Sequence, residues 1–207
     1  MSVRILTELL ESRRLFAAVP VNGTAGNDVI EIAKGSTAYV VTVNGVATQH
    51  AIGDVSAINI FCSEGDDVVL IAANVTLGVY ADGGNGNDKI IGGDDPDTFL
   101  GAAGKDQIYG GLGNDRINGA GGNDKVFGEA GGDRVYGGDG NDYVDGGSSR
   151  DRLYGGSGAD SVFGQGGDDN FFAIDGAIDQ LFGGSGTDSA FADAGDLRSS
   201  VEHVAIV

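Results

Sequence analysis

Residues 101–145 read GAAGKDQIY GGLGNDRIN GAGGNDKVF GEAGGDRVY GGDGNDYVD when cut every nine residues. The same cut extends without a gap over residues 83–172, giving ten units. Position 1 is glycine and position 6 is aspartate in all ten. Position 8 is always apolar: Ile90, Phe99, Ile108, Ile117, Val126, Val135, Val144, Leu153, Val162 and Phe171. One inserted residue, Ala173, precedes two further units, IDGAIDQLF and GGSGTDSAF, which keep Asp179 and Asp188 in phase. Upstream, GTAGNDVIE (23–31) and CSEGDDVVL (62–70) carry the same signature.

Each unit divides into a glycine-rich turn at positions 1–6 and a short strand at positions 7–9. Glycine permits the positive φ angles of a tight turn. In a strand, side chains alternate between faces, and position 7 is mostly polar (Lys89, Arg116, Lys125, Arg134, Arg152), so position 8 faces inward. A strand this short cannot bury its apolar residue alone. Stacking solves that problem: two nonapeptides make one 18-residue coil, and successive coils build two parallel sheets around a thin Val/Ile/Leu core. A helix is excluded, since glycine at this density would melt it. The expected fold is all-β, a parallel β-roll or β-helix solenoid with a β cap at its N-terminal end.

Composition narrows the partners. The 207 residues include 39 glycines and carry a net charge of −19. Asp outnumbers Glu by 25 to 6, and Asp favours turns where surface Glu favours helices. Such acid excludes nucleic acid and anionic membranes and favours cations. Two prolines exclude collagen, and an apolar content of 41% argues against wholesale disorder. The single Cys62 forms no internal disulfide and reads as a small buried residue. No apolar run is long enough for a transmembrane helix. Glu8, Glu11, Arg13 and Arg14 interrupt the apolar core that a standard secretory signal needs.

The units resemble the GGxGxDxUx nonapeptide of RTX, or haemolysin-type, calcium-binding repeats. The resemblance implies a parallel β-roll with calcium between stacked turns. It also implies that carbonyls near positions 1 and 3 serve one neighbouring turn, and those near positions 2 and 4 the other. Here those carbonyls belong to Gly83, Gly84, Gly86, Gly101, Gly104, Gly110, Gly111, Gly113, Gly119 and Gly121. They continue with Gly122, Gly128, Gly131, Gly137, Gly138, Gly140, Gly155, Gly156 and Gly158.

With 18 residues per coil, every second aspartate falls in one column. One edge carries Asp88, Asp106, Asp124, Asp142, Asp160 and Asp179; the other carries Asp97, Asp115, Asp133, Asp151, Asp169 and Asp188. Parallel strands lie about 4.8 Å apart, so neighbouring carboxylates repel by about 3.5 kcal/mol at an effective dielectric of roughly 20. Summed along a column, that rivals a domain's whole stability of roughly 5–15 kcal/mol. A cation between turns reverses the sign. Calcium accepts several oxygens in flexible geometry, whereas magnesium demands stricter octahedra. Zinc is disfavoured, because two His and one Cys cannot supply repeated sites. A metal-free solenoid of Asx-turns would leave both columns uncompensated. Asp95 with Pro96, Ser149 with Arg150, and the glycine-poor turn before Asp179 weaken some intervals, so five to nine Ca2+ ions are expected.

Four segments follow. Residues 1–21 form an N-terminal tail with a short amphipathic helix over 3–16. Within it, Leu10, Glu11, Ser12, Arg13, Arg14, Leu15 and Phe16 resemble the LEPR-XLL motif of many bacterial surface or exported repeat proteins, with Ser12 for Pro and Phe16 for the last Leu. Residues 22–82 read as a β-rich cap and a wide first coil, with Asn44-Gly45 as a hairpin turn. Residues 83–191 are the calcium-binding roll, and 192–207 a C-terminal capping strand. Glu202 followed by His-Val-Ala-Ile-Val resembles the acidic-then-apolar tail of type I secretion substrates.

No HExxH, GxSxG or phosphate-loop motif occurs, and His50 and His203 both sit in strand-like sequence. RTX proteases and lipases resemble the chain only in its repeats. The reading is a non-enzymatic, calcium-binding β-roll that folds on binding calcium, secreted or held at the cell surface. The alternative is a calcium-dependent adhesin or carbohydrate-binding module with a surface glycan or protein as partner. Its basis is position 9, where Tyr109, Phe127 and Phe163 line one sheet and Tyr136, Tyr154 and Phe172 the other.

Overall fold

The nonapeptide period becomes a ladder of parallel strands in the computed structural model, which describes residues 17–206. The helix expected over 3–16 and the LEPR-XLL-like motif lie outside the described residues. The chain starts with β1 (Ala17–Asn22), β2 (Val29–Lys34), β3 (Ala38–Val43) and β4 (Val46–Ala51). After a 3₁₀ turn at Ile52–Asp54 come β5 (Val55–Phe61), β6 (Val68–Ile71), β7 (Val79–Asn85) and β8 (Lys89–Ile91). The repeats then supply β9 (Thr98–Ala103), β10 (Gln107–Leu112), β11 (Arg116–Gly121), β12 (Lys125–Ala130), β13 (Arg134–Asp139) and β14 (Tyr143–Asp145). Next are β15 (Arg152–Ser157), β16 (Ser161–Phe163), β17 (Asn170–Ala173), β18 (Gln180–Phe182) and β19 (Ser189–Ala192). β20 (Leu197–Ser199) and β21 (His203–Ile206) end the roll.

From β5 onward strands alternate between two sheets. The first sheet runs β1-β5-β7-β9-β11-β13-β15-β17-β19-β21, and the second β20-β18-β16-β14-β12-β10-β8-β6-β2-β3-β4. Pairing within the repeats is parallel at an 18-residue offset, as in Ile108 opposite Val126 and Arg116 opposite Arg134. The offset becomes 19 where Ala173 is inserted, as in Ser161 opposite Gln180. Ala173 is buried opposite Ala192, so a methyl-sized residue absorbs the extra position.

Position 8 points inward throughout. Ile90, Ile108, Val126, Val144, Val162 and Leu181 from one sheet meet Phe99, Ile117, Val135, Leu153, Phe171 and Ala190 from the other. Each large side chain contributes about 1.5–3 kcal/mol through burial. Many strands are longer than the three residues expected. β10, for example, continues through Gly111 and Leu112, which pair with Glu129 and Ala130. Strands β14, β16 and β18 do stop after three residues, and isolated bridges at Ser148, Gly166 and Ser185 replace the ladder beyond them.

The turns separate the roles of the glycines. Positions 2 and 4 need positive φ, as at Gly138 (121°) and Gly140 (136°). Ala120, Glu129 and Gln165 accept that strain at position 2. Position 1 is glycine for space instead. A β-carbon on Gly119 would lie 2.5 Å from both the Asp124 carboxylate and the Gly137 carbonyl.

Residues 22–82, read in the sequence as a β-rich cap and wide first coil, are built into the same two sheets as the repeats. Their strands β5, β6 and β7 join the same two ladders, and Ile30, Ile32, Ile58 and Ile60 extend the same core. Period-two burial on both sheets makes these residues further coils of the roll. Among the described residues the antiparallel pairings are β2–β3 and β3–β4; the β3–β4 hairpin adds to the second sheet beyond β2 and turns at Asn44 (φ 50°) and Gly45 (φ 78°). At the other end each sheet receives a final strand, β20 or β21.

Candidate metal centres in the aspartate columns

Each column aspartate directly precedes a strand, so the ladder stacks the carboxylates. Fifteen aspartates are buried, none more than 5% exposed. The columns are knitted by a bond from backbone to side chain. The N–H of Asp88 donates to Asp106 Oδ1, Asp106 to Asp124, Asp124 to Asp142 and Asp142 to Asp160, each across 2.8 Å. Asp97, Asp115, Asp133, Asp151, Asp169 and Asp188 are linked in the same way, at 2.7–2.9 Å. One carboxylate oxygen per aspartate is therefore consumed by the neighbouring coil.

The second oxygen is the informative one. Among the described residues, Oδ2 is buried without a partner in Asp67, Asp88, Asp106, Asp124, Asp142, Asp160 and Asp179. The same holds for Asp115, Asp133, Asp151, Asp169 and Asp188. An unpaired buried carboxylate oxygen is costly unless it is protonated or meets a cation. Burial, reinforced by neighbouring carboxylates, pushes Asp151 up to about 8 and Asp106 and Asp115 to about 7. Burial likewise raises Asp88, Asp133 and Asp142 to about 6, although each also accepts an N–H that favours ionisation.

Three column members have both oxygens bonded. Asp97 Oδ2 accepts from Gly93 N–H, and Asp196 accepts from Asp179 and Asp193. At Asp28 burial opposes ionisation, but Thr24 and Asn44 donate to the carboxylate and hold it below its ordinary range. Of these, Asp97 was a sequence-read site residue. Column members missed by the sequence reading are Asp28, Asp67, Asp196 and Glu202, whose Oε2 accepts from Asp188 N–H at 2.7 Å. Asp28 and Asp67 occupy position 6 of the isolated units 23–31 and 62–70, a signal that was visible. Glu202 differs in both residue type and spacing.

Backbone oxygens face both ways between coils. The position-1 carbonyl of Gly119 approaches Gly101 of the preceding coil, and the position-3 carbonyl of Gly121 accepts from Gly104 N–H of that coil. The position-2 carbonyl of Ala120 and the position-4 carbonyl of Gly122 approach Gly138 and Gly140 of the following coil. Among the described residues no three His, Cys, Asp or Glu side chains converge on one point. An ion held here therefore draws on main-chain carbonyls as well as carboxylates. The donor set is hard oxygen only and varied in direction, which fits calcium.

A sequence model of the RTX calcium-binding nonapeptide repeat (4 copies) matches residues 82–117, 109–144, 118–153, 145–173 and 174–196, more than half of the chain. The chain belongs to this family. Among curated proteins none matches it. The RTX roll extends past the matched region: the stacking of Asp67 beneath Asp88 repeats the family's turn geometry before residue 82.

Other expected features also find their places in the RTX roll. Cys62 is fully buried at position 1 of its unit, and burial, with Asp67 and Asp88 nearby, pushes its thiol up to about 12. His50 and His203 lie on β4 and β21, at opposite ends. The aromatic ladders are longer than read. Tyr136, Tyr154, Phe172 and Phe191 stack along the first sheet, the first three at 4.3 and 4.5 Å between centroids. Tyr109, Phe127, Tyr143, Phe163 and Phe182 run along the second. The ring faces cover one another, leaving mainly edges to solvent. Among the described residues no helix is long and apolar enough to cross a membrane.

Proposed function

We propose that this calcium-binding β-roll is a non-enzymatic, exported protein whose repeats fold as calcium enters the gaps between coils. The observation that carries the reading is the series of twelve buried Oδ2 atoms without a donor. Calcium would supply the positive charge that lets these carboxylates be ionised and buried together. The ligands are the two carboxylates bounding a gap, the position-2 and position-4 carbonyls from one side, and those of positions 1 and 3 from the other. Ten gaps lie between orphaned neighbours. Those beside Arg150 and the turn at 174–179 are the weakest, which supports five to nine ions.

Glycine at position 1 keeps carboxylates such as those of Asp124 and Asp142 tucked against the backbone, and the Oδ1 ladder aims Oδ2 into the gap. Export follows from the same energetics: extracellular modules bind calcium at about 10⁻⁴–10⁻³ M, so the chain stays loose inside a cell and folds outside. Circular dichroism and calorimetry during calcium titration test the coupling. Cooperative gain of β structure with several ions per chain is expected; an unchanged spectrum overturns the reading. Fractionation tests export, and native protein confined to the cytosol would count against it.

A further inference from the structure

Arg116, Arg134 and Arg152 occupy position 7 of three successive strands in the first sheet and pair directly opposite one another. A fourth, Arg150, comes from the adjacent turn, where its Nε donates to the Asp168 carbonyl. These are four of only twelve basic residues in a chain of net charge −19. Like charges directly opposite on neighbouring strands are destabilising. Among the described residues Arg116, Arg134 and Arg152 have no carboxylate ion-pair partner, the Asp169 carboxylate feels the charge of Arg150, and Arg134 Nε is buried with no acceptor. Arg116 lies over the Tyr136 ring at 5.6 Å, which holds its guanidinium in place. Two adjoining shallow clefts follow the stripe, one lined by Arg116, Arg134 and Arg152 with Asp115 and Asp133, the next by Arg150, Arg152 and Asn170 with Asp133.

We propose that these clefts bind a linear acidic oligosaccharide carrying one carboxylate or sulfate per sugar. Guanidinium groups bind such oxyanions in bidentate fashion. The three in-register arginines repeat at the interstrand spacing of about 4.8 Å, close to the advance of one pyranose along its chain. The stripe ends at Thr98 and Asn170, so it matches a short segment. Each arginine follows a column aspartate, Asp115, Asp133 or Asp151, and Glu129 adds a further acid nearby. With those columns unneutralised the edge repels anions; with calcium between the turns the arginines dominate its field. Binding is therefore calcium-dependent, and this part rests on the calcium reading above.

Calorimetry with a chondroitin sulfate hexasaccharide on the full chain, in calcium, tests the clefts. Binding is expected, weakened by salt, with no binding of neutral cellohexaose. The triple variant Arg116→Gln/Arg134→Gln/Arg152→Gln should bind about tenfold or more weakly, while its calcium titration by circular dichroism matches wild type. A control pair on the other sheet, Lys89→Gln/Lys125→Gln, should leave hexasaccharide affinity unchanged. Absence of binding to the folded calcium-loaded protein, equal binding by the triple variant, or equally tight binding of single-stranded dT6 would each overturn the proposal. If calcium does not alter the fold, the calcium reading falls separately, and the hexasaccharide arms still decide the stripe.

Discussion

The backbone N–H of Asp124 donates to Asp142 Oδ1 across 2.8 Å, from one coil to the next. The Asp142 carboxylate therefore has two distinct oxygens: one is a rung of the ladder, the other is unpartnered beside Gly137. The proposed calcium reading assigns the first oxygen a structural role and the second a ligand role.

Asparagine tests that division. Asp142→Asn keeps an acceptor for Asp124 N–H but replaces the orphaned oxygen with a neutral amide. In chelator at neutral pH the variant should be more stable than wild type, because an uncompensated buried charge is gone. In calcium it should be less stable, with fewer ions bound. Melting curves in both buffers check the crossing; movement in the same direction in both would refute the division of roles.

Alanine should act differently at two neighbouring aspartates. Asp124→Ala removes the acceptor of Asp106 N–H as well as an orphaned oxygen, and an unsatisfied buried donor alone costs about 1–3 kcal/mol. The Asp139 side chain is exposed and accepts a hydrogen bond from Ser157 Oγ, itself on the surface, so Asp139→Ala should stay within about 0.5 kcal/mol of wild type. Chemical denaturation in calcium compares them, and equal losses would contradict the column mechanism.

Acid should have opposite effects with and without calcium. Burial raises Asp88 to about 6, Asp106 and Asp115 to about 7 and Asp151 to about 8, above an unfolded value of about 3.9. Their contribution to the calcium-free fold is fully present below the unfolded value and is lost as pH rises through the folded ones. In chelator, β structure should therefore decline between about pH 5 and pH 8. With calcium, protons compete for the same oxygens, so affinity should fall as the solution is acidified. A pH series of spectra with and without chelator reads both slopes.

Gly119, at position 1 of its unit, should tolerate no side chain. Gly119→Ala forces a β-carbon to within 2.5 Å of the Asp124 carboxylate and the Gly137 carbonyl, a clash costing about 3 kcal/mol. Gly26 has no positive φ and no atom closer than 4.0 Å, so Gly26→Ala should be neutral within about 0.5 kcal/mol. Thermal melts in calcium measure the contrast.

The sequence by itself determined the two-sheet parallel roll, because a strict period of nine places every Gly, Asp and apolar residue at a fixed point of a coil. Inward Val126 and Val144, the 18-residue register and the two carboxylate columns all follow from counting. Only the tertiary structure decided that residues 17–82 continue the ladders. β1 pairs with β5 across an intervening hairpin, and such irregular spacing erases the period. It also decided which oxygens are spare. Asp95 and Pro96 mark the turn before Asp97 as altered, but only the structure shows that Gly93 closes the Asp97 carboxylate while nothing closes that of Asp115. That difference depends on side-chain torsion and on a donor from the local turn, neither of which a residue count contains.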